Sequence, residues 1–357
     1  LVPVAVDIAY SYKIPRGLEL APGDFVEVPL GNRQATGVVW DVREAPAASN
    51  LKSILHKRDL PPMRAPLRDF IDWVARWTLS PRGMVLRMAT RAPDSAGPEP
   101  VRIGVRLAPA DPAREALRIT PARARVLAVA QGSLSYSKSA LAEAAACSVG
   151  VIDGLIDEGA LEAVALAPEA VALAPDLGFA PTRFEPDQAA AAHELAARVN
   201  EGAFSCTLLE GVTGSGKTEV YFEAAAAAVA QGRQALILVP EIALTAQFLD
   251  RFAARFGVRP GEWHSGVSPR KRARLWAAAA SGEARVVAGA RSALFLPFNN
   301  LGVIVVDEEH EGAYKQEDGV SYNARDMAVV RARLEGAACV LASATPSIES
   351  RVNAQLG

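Results

Sequence analysis

Two groups of residues in this sequence have the types and spacing for phosphate chemistry. The first is Gly211-Val212-Thr213-Gly214-Ser215-Gly216-Lys217-Thr218, which fits GxxxxGK[ST] and lies between a short apolar run and an alanine-rich helical segment. Its glycines let backbone N–H groups turn inward around phosphate oxygens, and the following helix adds the positive end of its dipole. Lys217 is placed for the β and γ phosphates and the Thr218 hydroxyl for a Mg²⁺ shell. The second is Asp307-Glu308-Glu309-His310, which ends the apolar run Gly302–Val306. There Asp307 can complete the magnesium shell, Glu308 can act as base toward an attacking water, and His310 can sense the γ-phosphate. ATP and Mg²⁺ are the expected ligands.

Such loops need a sheet behind them. From Arg183 onward the apolar runs CTLLEG, ALILVP, RVVAGA, GVIVVDEEH and CVLASAT alternate with helical segments, the spacing of βαβ units on a parallel sheet. Residues 178–357 are therefore expected to form a nucleotide-binding α/β lobe, with its ligands at the C-terminal ends of the strands. Residues 1–100 read as a small β-domain: strands VPVAVDIAY, FVEVPLGNR and ATGVVWDV, with turns at Pro22-Gly23 and Gly31-Asn32. A helix is expected from Pro66 to Leu79, with Leu67, Phe70, Ile71, Val74 and Trp77 on its apolar face. Between the linkers RAPDSAGPEP and APEAVALAPDLGFAPT, residues 101–177 read as short helices (PARARVLAVAQ, KSALAEAAA, SVGVIDGLIDEG) and a strand (ALEAVAL). That order suits a winged helix and equally a helical connector.

At 357 residues the chain exceeds what one core supports and is expected to be multidomain. With 50% hydrophobic and 22% charged residues the composition is that of a globular protein. No apolar run reaches the roughly 18 residues of a membrane helix and no signal peptide is visible, so a cytoplasmic protein without membrane partners, acting as a monomer, is expected. The cysteines Cys147, Cys206 and Cys339 form no CxxC pair and read as buried small hydrophobes. A net charge of −2 gives no general attraction to nucleic acid. Between Arg255 and Arg291, however, eight basic residues (Arg255, Arg259, Arg270, Lys271, Arg272, Arg274, Arg285, Arg291) face two acidic ones, Glu262 and Glu283. That patch is a candidate phosphate track, or else a solvated helix face.

DEEH, with PEIALT (Pro240–Thr245) upstream and SATP (Ser343–Pro346) downstream, resembles the superfamily 2 helicases. LLEGVTGSGKTEVYF, LVPEIALT, HSG, RSALFLPF, VDEEHEGAYKQEDGVSYNARDMAVVRA and ASATPSIES narrow the resemblance to the PriA family of replication-restart DNA helicases. It spans the whole chain and is densest in the last third. It implies that the α/β lobe is RecA-like, that Pro240, Glu241 and Thr245 contact the DNA backbone, and that Ser343, Ala344 and Thr345 couple hydrolysis to DNA movement. Gln188 in FEPDQAA would recognise adenine. Tyr314, Lys315, Gln316 and Tyr322 fall in an aromatic-rich loop that senses single-stranded DNA, where rings stack on bases and a lysine meets phosphate. The family's GTRSALF appears as Gly289–Phe295, with Ala290 in place of threonine and with Arg291 as a DNA contact. The N-terminal domain would hold the 3′ end of a leading strand through Tyr10, Ser11, Gly37 and Lys52; Ser11 stands where the family has an acidic residue for the 3′ hydroxyl.

The resemblance also implies an ATP-dependent 3′-to-5′ helicase that recognises stalled or branched forks and initiates primosome assembly. Its partners would be forked DNA with a leading-strand 3′ end, single-stranded DNA, single-stranded DNA-binding protein and primosome proteins, with nucleoid association in the cytoplasm. The sequence begins at Leu1 and both ends look cut. The family's second helicase lobe and its cysteine-rich zinc insertion are not visible here; zinc is expected in the full-length family, with no site in these residues. Little ATP turnover and no unwinding are therefore expected of these residues alone. The rival readings are another superfamily 2 translocase and a non-catalytic fork-recognition scaffold. Lys217, Asp307 and Glu308 speak against the scaffold, which has no need of them.

Overall fold

The computed structural model describes residues 1–44, 50–91, 102–109, 118–131, 135–166, 170–241 and 243–356. The chain divides into two compact units, Leu1–Gly97 with Val171–Gly357, and Pro98–Ala170. Most of RAPDSAGPEP and the start of the second expected linker lie outside the described residues.

In the larger unit, β1 (Phe25–Leu30) and β2 (Arg33–Val38) form a hairpin whose two-residue loop is Gly31-Asn32, with β3 (His56–Lys57) on the other edge of β1. Gly31 has φ 62°, the left-handed conformation such a turn demands. The helix α1 (Ala65–Trp77) buries Leu67, Phe70, Ile71 and Val74, the apolar stripe read from the sequence. Trp77, at the end of that stripe, is instead 70% exposed and stacks on Trp73 with ring centroids 5.3 Å apart. A second helix, α2 (Arg82–Thr90), follows where none was expected. The expected strand Val2–Tyr10 does not form. Val4 N–H donates to Val2 O and Val6 N–H to Val4 O, so tight turns curl the segment, and Val6 O is taken by Gly83 N–H rather than by a ladder.

The smaller unit packs β4 (Arg102–Leu107), α3 (Pro121–Ala130), β5 (Tyr136–Ser137), α4 (Lys138–Ala144), α5 (Val149–Asp157) and β6 (Leu161–Leu166). Its antiparallel sheet has the order β5-β4-β6, and Val105, Val126, Leu141, Ile152 and Leu155 form its core. All three helices of the sequence reading are present. No single described helix is long and apolar enough to cross a membrane.

The lobe at the end of the chain is built from α6 (Pro186–Asn200), β7 (Ser205–Glu210), α7 (Lys217–Ala230), β8 (Gln234–Leu238), α8 (Ala246–Phe256), β9 (Gly261–Trp263), α9 (Pro269–Ser281), β10 (Val286–Gly289) and β11 (Leu301–Asp307). It is completed by a short hairpin, β12 (Lys315–Gln316) and β13 (Tyr322–Asn323), then α10 (Ala324–Glu335), β14 (Ala338–Ser343) and α11 (Ile348–Leu356). Six strands pair in parallel in the order β7-β14-β11-β8-β10-β9. Five are the runs read from the sequence; β9 is too short and too polar to have been recognised. The order makes β7, β14 and β11 neighbours, so their C-terminal ends converge.

One hydrophobic core runs from the N-terminal elements into the lobe. Phe25 meets Trp276 edge to face, Phe70 packs against Phe295, and the Trp276 indole N–H donates to Ala89 O at 2.7 Å. The segments read as the first and third domains thus share an interior. Beneath α1, the fully buried Arg331 pairs with Glu335 at 2.7 Å, donates to Leu294 O and Leu296 O, and lies 5.4 Å from the Phe70 ring centroid. Removing one partner of such a pair leaves an uncompensated charge in the core. Arg331→Leu is expected to cost about 3–5 kcal/mol, and Arg331→Leu with Glu335→Leu to recover much of it, as read by urea denaturation of the larger unit.

Candidate nucleotide site and DNA-facing surfaces

The phosphate-binding loop leaves the end of β7 and enters α7. Gly216, with φ 81°, caps α7 in a conformation that favours glycine, and a Cβ there would lie 2.8 Å from Gln188 Nε2 and displace that side chain. Gln188 donates from Nε2 to Ser215 O at 2.9 Å while its Oε1 accepts Glu185 N–H at 3.0 Å. The residue expected to read adenine is thus also a strut, joining the start of α6 to the phosphate loop. The Lys217 ammonium is buried and held over the loop by Gly211 O at 2.7 Å and Val212 O at 3.3 Å. Thr213 and Gly214 are exposed at the loop's apex.

Asp307 sits at the end of β11, on the far side of β14 from that loop. Its Oδ2 accepts the Tyr221 hydroxyl at 3.0 Å and its Oδ1 accepts Glu308 N–H at 3.1 Å. Burial pushes its pKa above the usual carboxylate range, despite the Tyr221 hydrogen bond and Lys217, which pull the other way. Tyr221, one turn after Thr218, is fully buried with its hydroxyl between Asp307 and Thr218. Sequence reasoning missed it, although its spacing from Thr218 puts both on one helix face. A single desolvated carboxylate and a hydroxyl fit Mg²⁺, which keeps several waters and takes its other ligands from phosphates. Thr218 and Asp307 are the residues that would hold it.

Glu308 has φ 47°, a left-handed conformation costly for a non-glycine residue and recurrent at functional sites. His310 Nδ1 lies 3.6 Å from Glu308 Oε2 and 2.7 Å from Ser343 Oγ. Ser343 is buried and also accepts Thr345 N–H at 3.1 Å, while its carbonyl accepts Gly211 N–H at 3.2 Å. The structure therefore brings Gly211, His310 and Ser343 into one hydrogen-bonded chain, with Ala344 half-buried and Thr345 exposed beside it. Glu309 was given no role by the sequence. Buried, it accepts Ser347 N–H at 2.6 Å and the Ser350 hydroxyl at 2.9 Å at the start of α11, and pairs with Arg325 at 3.3 Å.

Several expected DNA contacts need correction. Tyr314 and Tyr322 are buried, at 1% and 5% exposure, so neither ring presents a face to a base. Tyr314 donates its hydroxyl to Asp307 O at 2.6 Å and Leu238 O at 3.0 Å, and Tyr322 packs edge to face on Phe295. Of that loop Lys315 is exposed, paired with Glu317 at 2.7 Å, and Gln316 is half-buried. Arg291 donates to Ala313 O and Lys315 O, bracing the same loop. Pro240 is buried in a turn, and the Glu241 carboxylate, which would repel phosphate, instead accepts the Ser265 hydroxyl and Ser265 N–H, the latter at 3.0 Å; the hydroxyl bond first, and then the N–H, lower its pKa. Thr245 is exposed ahead of α8.

In the N-terminal elements, Lys13 N–H donates to Lys52 O and Ile54 N–H to Lys13 O, so the segment that follows exposed Tyr10 and Ser11 pairs with the segment that holds exposed Lys52. Lys52 Nζ donates to Gly31 O at 3.2 Å. Gly37 is not at that edge. A Cβ there would lie 3.0 Å from Leu1 O, so the close approach it permits is to the protein's own chain. The cysteines also differ from expectation, since Cys206 is exposed, Cys147 intermediate and only Cys339 buried.

Charge-assisted hydrogen bonds of the kind Lys217 would make to phosphate contribute about 1.5–3 kcal/mol. Lys217→Ala is expected to weaken Mg²⁺-nucleotide binding by about 10- to 150-fold with an unchanged melting temperature, as read by calorimetric titration.

Comparisons with known proteins bear on the chain's family. Residues 1–91 match the 3′DNA-binding domain (3′BD) of PriA and residues 185–353 match the DEAD/DEAH box helicase domain. The replication restart protein PriA of Rickettsia felis is 32% identical over 358 residues, covering 100% of this chain and 44% of that protein. That of Chlamydia pneumoniae is 36% identical over 365 residues, 97% of this chain and 48% of that protein. That of Bacillus subtilis is 44% identical over 171 residues, 48% of this chain and 21% of that protein. The chain spans about half the length of the first two. With a PriA 3′-DNA-binding domain at one end and a helicase domain on a parallel sheet at the other, it belongs to the PriA family of replication restart proteins.

Proposed function

We propose that these residues form the fork-binding and phosphate-binding part of an ATP-dependent 3′-to-5′ DNA helicase that restarts replication. The observation that carries the reading is the convergence of Lys217, Asp307, Glu308 and Ser343 at the ends of the neighbouring strands β7, β11 and β14. Mg²⁺ would neutralise charge developing on the transferred phosphate. Lys217 and the loop N–H groups would hold the phosphate oxygens, Glu308 would take a proton from the attacking water, and His310 would transmit the state of the γ-phosphate to Ser343. Gln188 would add adenine recognition to its role as a strut.

The smaller unit is proposed to be a winged helix, because its element order β-α-β-α-α-β and its three-stranded antiparallel sheet fit one. Tyr10, Ser11 and Lys52 would meet the leading-strand 3′ end, and Thr245 with the basic residues of α9 would meet phosphates. Forked DNA is then the substrate, with single-stranded DNA-binding protein and primosome proteins as partners through the family. The described residues contain one such parallel lobe. Arginines supplied from elsewhere can raise phosphoryl-transfer rates by about 10³–10⁵, so residues 1–357 by themselves should turn over ATP slowly.

The reading is tested by fluorescence anisotropy of the chain with a model fork whose leading strand ends at the junction in a 3′ hydroxyl or a 3′ phosphate. Tighter binding to the hydroxyl end is expected, and Lys52→Ala should narrow the difference. Equal affinity for both forks would leave the chain as a general translocase lobe without end recognition.

A further inference from the structure

We propose that Cys206 and Cys339 form a reversible thiol–disulfide pair, with Cys206 as the exposed nucleophile on β7 and Cys339 as the resolving thiol on β14. The two residues are register partners on adjacent parallel strands, so their side chains leave the same face of the sheet. Neighbouring strands lie about 4.8 Å apart, inside the Cα separation a disulfide spans. Cys206 is on the edge strand and exposed, while Cys339 is fully buried. An accessible thiol beside a protected one is the arrangement of redox-responsive cysteines.

The chemistry of the pair is asymmetric in the required sense. A hydrogen bond donated by the Cys339 thiol lowers the Cys206 pKa, and the same contact together with burial raises that of Cys339. Cys206 therefore holds the larger thiolate fraction. With a low-molecular-weight disulfide as oxidant, the Cys206 thiolate attacks one sulfur, forming a mixed disulfide and releasing one small thiolate. Cys339 then loses its proton to solvent and attacks Cys206 Sγ, expelling the second small thiolate. Two protein thiols and one small disulfide become one protein disulfide and two small thiols. The bond would lock together the strands that run directly into Gly211 and Ser343.

The test is to incubate the native chain with glutathione disulfide, quench with acid, denature, alkylate and map peptides by mass spectrometry without reduction. The expected result is a Cys206–Cys339 cross-linked peptide, a mass loss of two hydrogens, and alkylation falling from all three cysteines to Cys147 alone, all reversed by dithiothreitol. Cys339→Ser should stop at a mixed disulfide on Cys206. Should that variant misfold, Cys206→Ser should leave Cys339 fully alkylatable after denaturation and never oxidised. The proposal is overturned if the wild-type chain, folded by circular dichroism, keeps both thiols free or accumulates glutathione on Cys206 while Cys339 stays alkylatable.

Discussion

The lobe depends on one strand, β14, lying between the strand that ends in the phosphate loop and the strand that ends in Asp307. Parallel pairing alone would align the three ends. The bonds beyond the ladder convert alignment into a site: Gly211 N–H reaches Ser343 O, Glu309 N–H reaches Ala342 O, and Ser343 Oγ meets His310 Nδ1. Each buried polar group on the last turn of β14 is spent on a neighbouring loop. A small displacement of either loop would leave a buried donor or acceptor unpaired, which costs about 1–3 kcal/mol. Stiffness at this point follows from hydrogen-bond satisfaction and needs no further device.

What could be read in the sequence was chemistry with a short range. The phosphate loop is eight consecutive residues, and its demands for glycine at a positive φ and lysine at the start of a helix are local, so spacing alone carried them to Gly216 and Lys217. The five strands that carry it were legible for a related reason, since a strand covered on both faces is a continuous apolar run. Val2–Tyr10 defeated the same reasoning. Its alternation is that of a strand, but two of its carbonyls are consumed by tight turns within the segment and a third by Gly83, which lies far from it in the sequence. Tyr221 and Glu309 were missed because their roles are defined by partners distant in the chain, Asp307 in one case and Ser347 with Arg325 in the other.

The tyrosines after DEEH mark the limit of resemblance as a guide to geometry. Aromatic residues in a loop beside a DNA-facing motif suggest stacking platforms, yet the chemistry of tyrosine fits a core position equally well when its hydroxyl finds acceptors. Tyr314 finds two, and both are main-chain oxygens at strand ends, Leu238 and Asp307. The ring thereby reports the separation of β8 and β11 at the level of the nucleotide site. Arg291 holds the same loop from outside through Ala313 and Lys315. In this conformation the two rings belong to the lobe's architecture, and the loop exposes Lys315, Glu317, Asp318 and Ser321, with Lys315 and Glu317 paired.

Glu309, next to Glu308, is a buried carboxylate. A buried carboxylate is tolerated only when its oxygens are filled by donors or cations. Here the donors are Ser347 and Ser350 at the start of α11, and the cation is Arg325 in the first turn of α10. Arg325 also donates to Ser347 Oγ at 2.7 Å, so the three elements close a ring around one charge. Glu309 is adjacent to the strained Glu308 and two residues from Asp307, so the ring fixes the backbone from which both project. Asn323 caps α10 through Arg325 N–H and ends the β12–β13 hairpin, so the hairpin is attached to the same ring. Any rearrangement of the hairpin that shifted the start of α10 would have to move Arg325, and with it the neutralisation of Glu309. The backbone of the nucleotide site and the loop beside it are thus held in one electrostatic unit, in which neither can move far while the other stays.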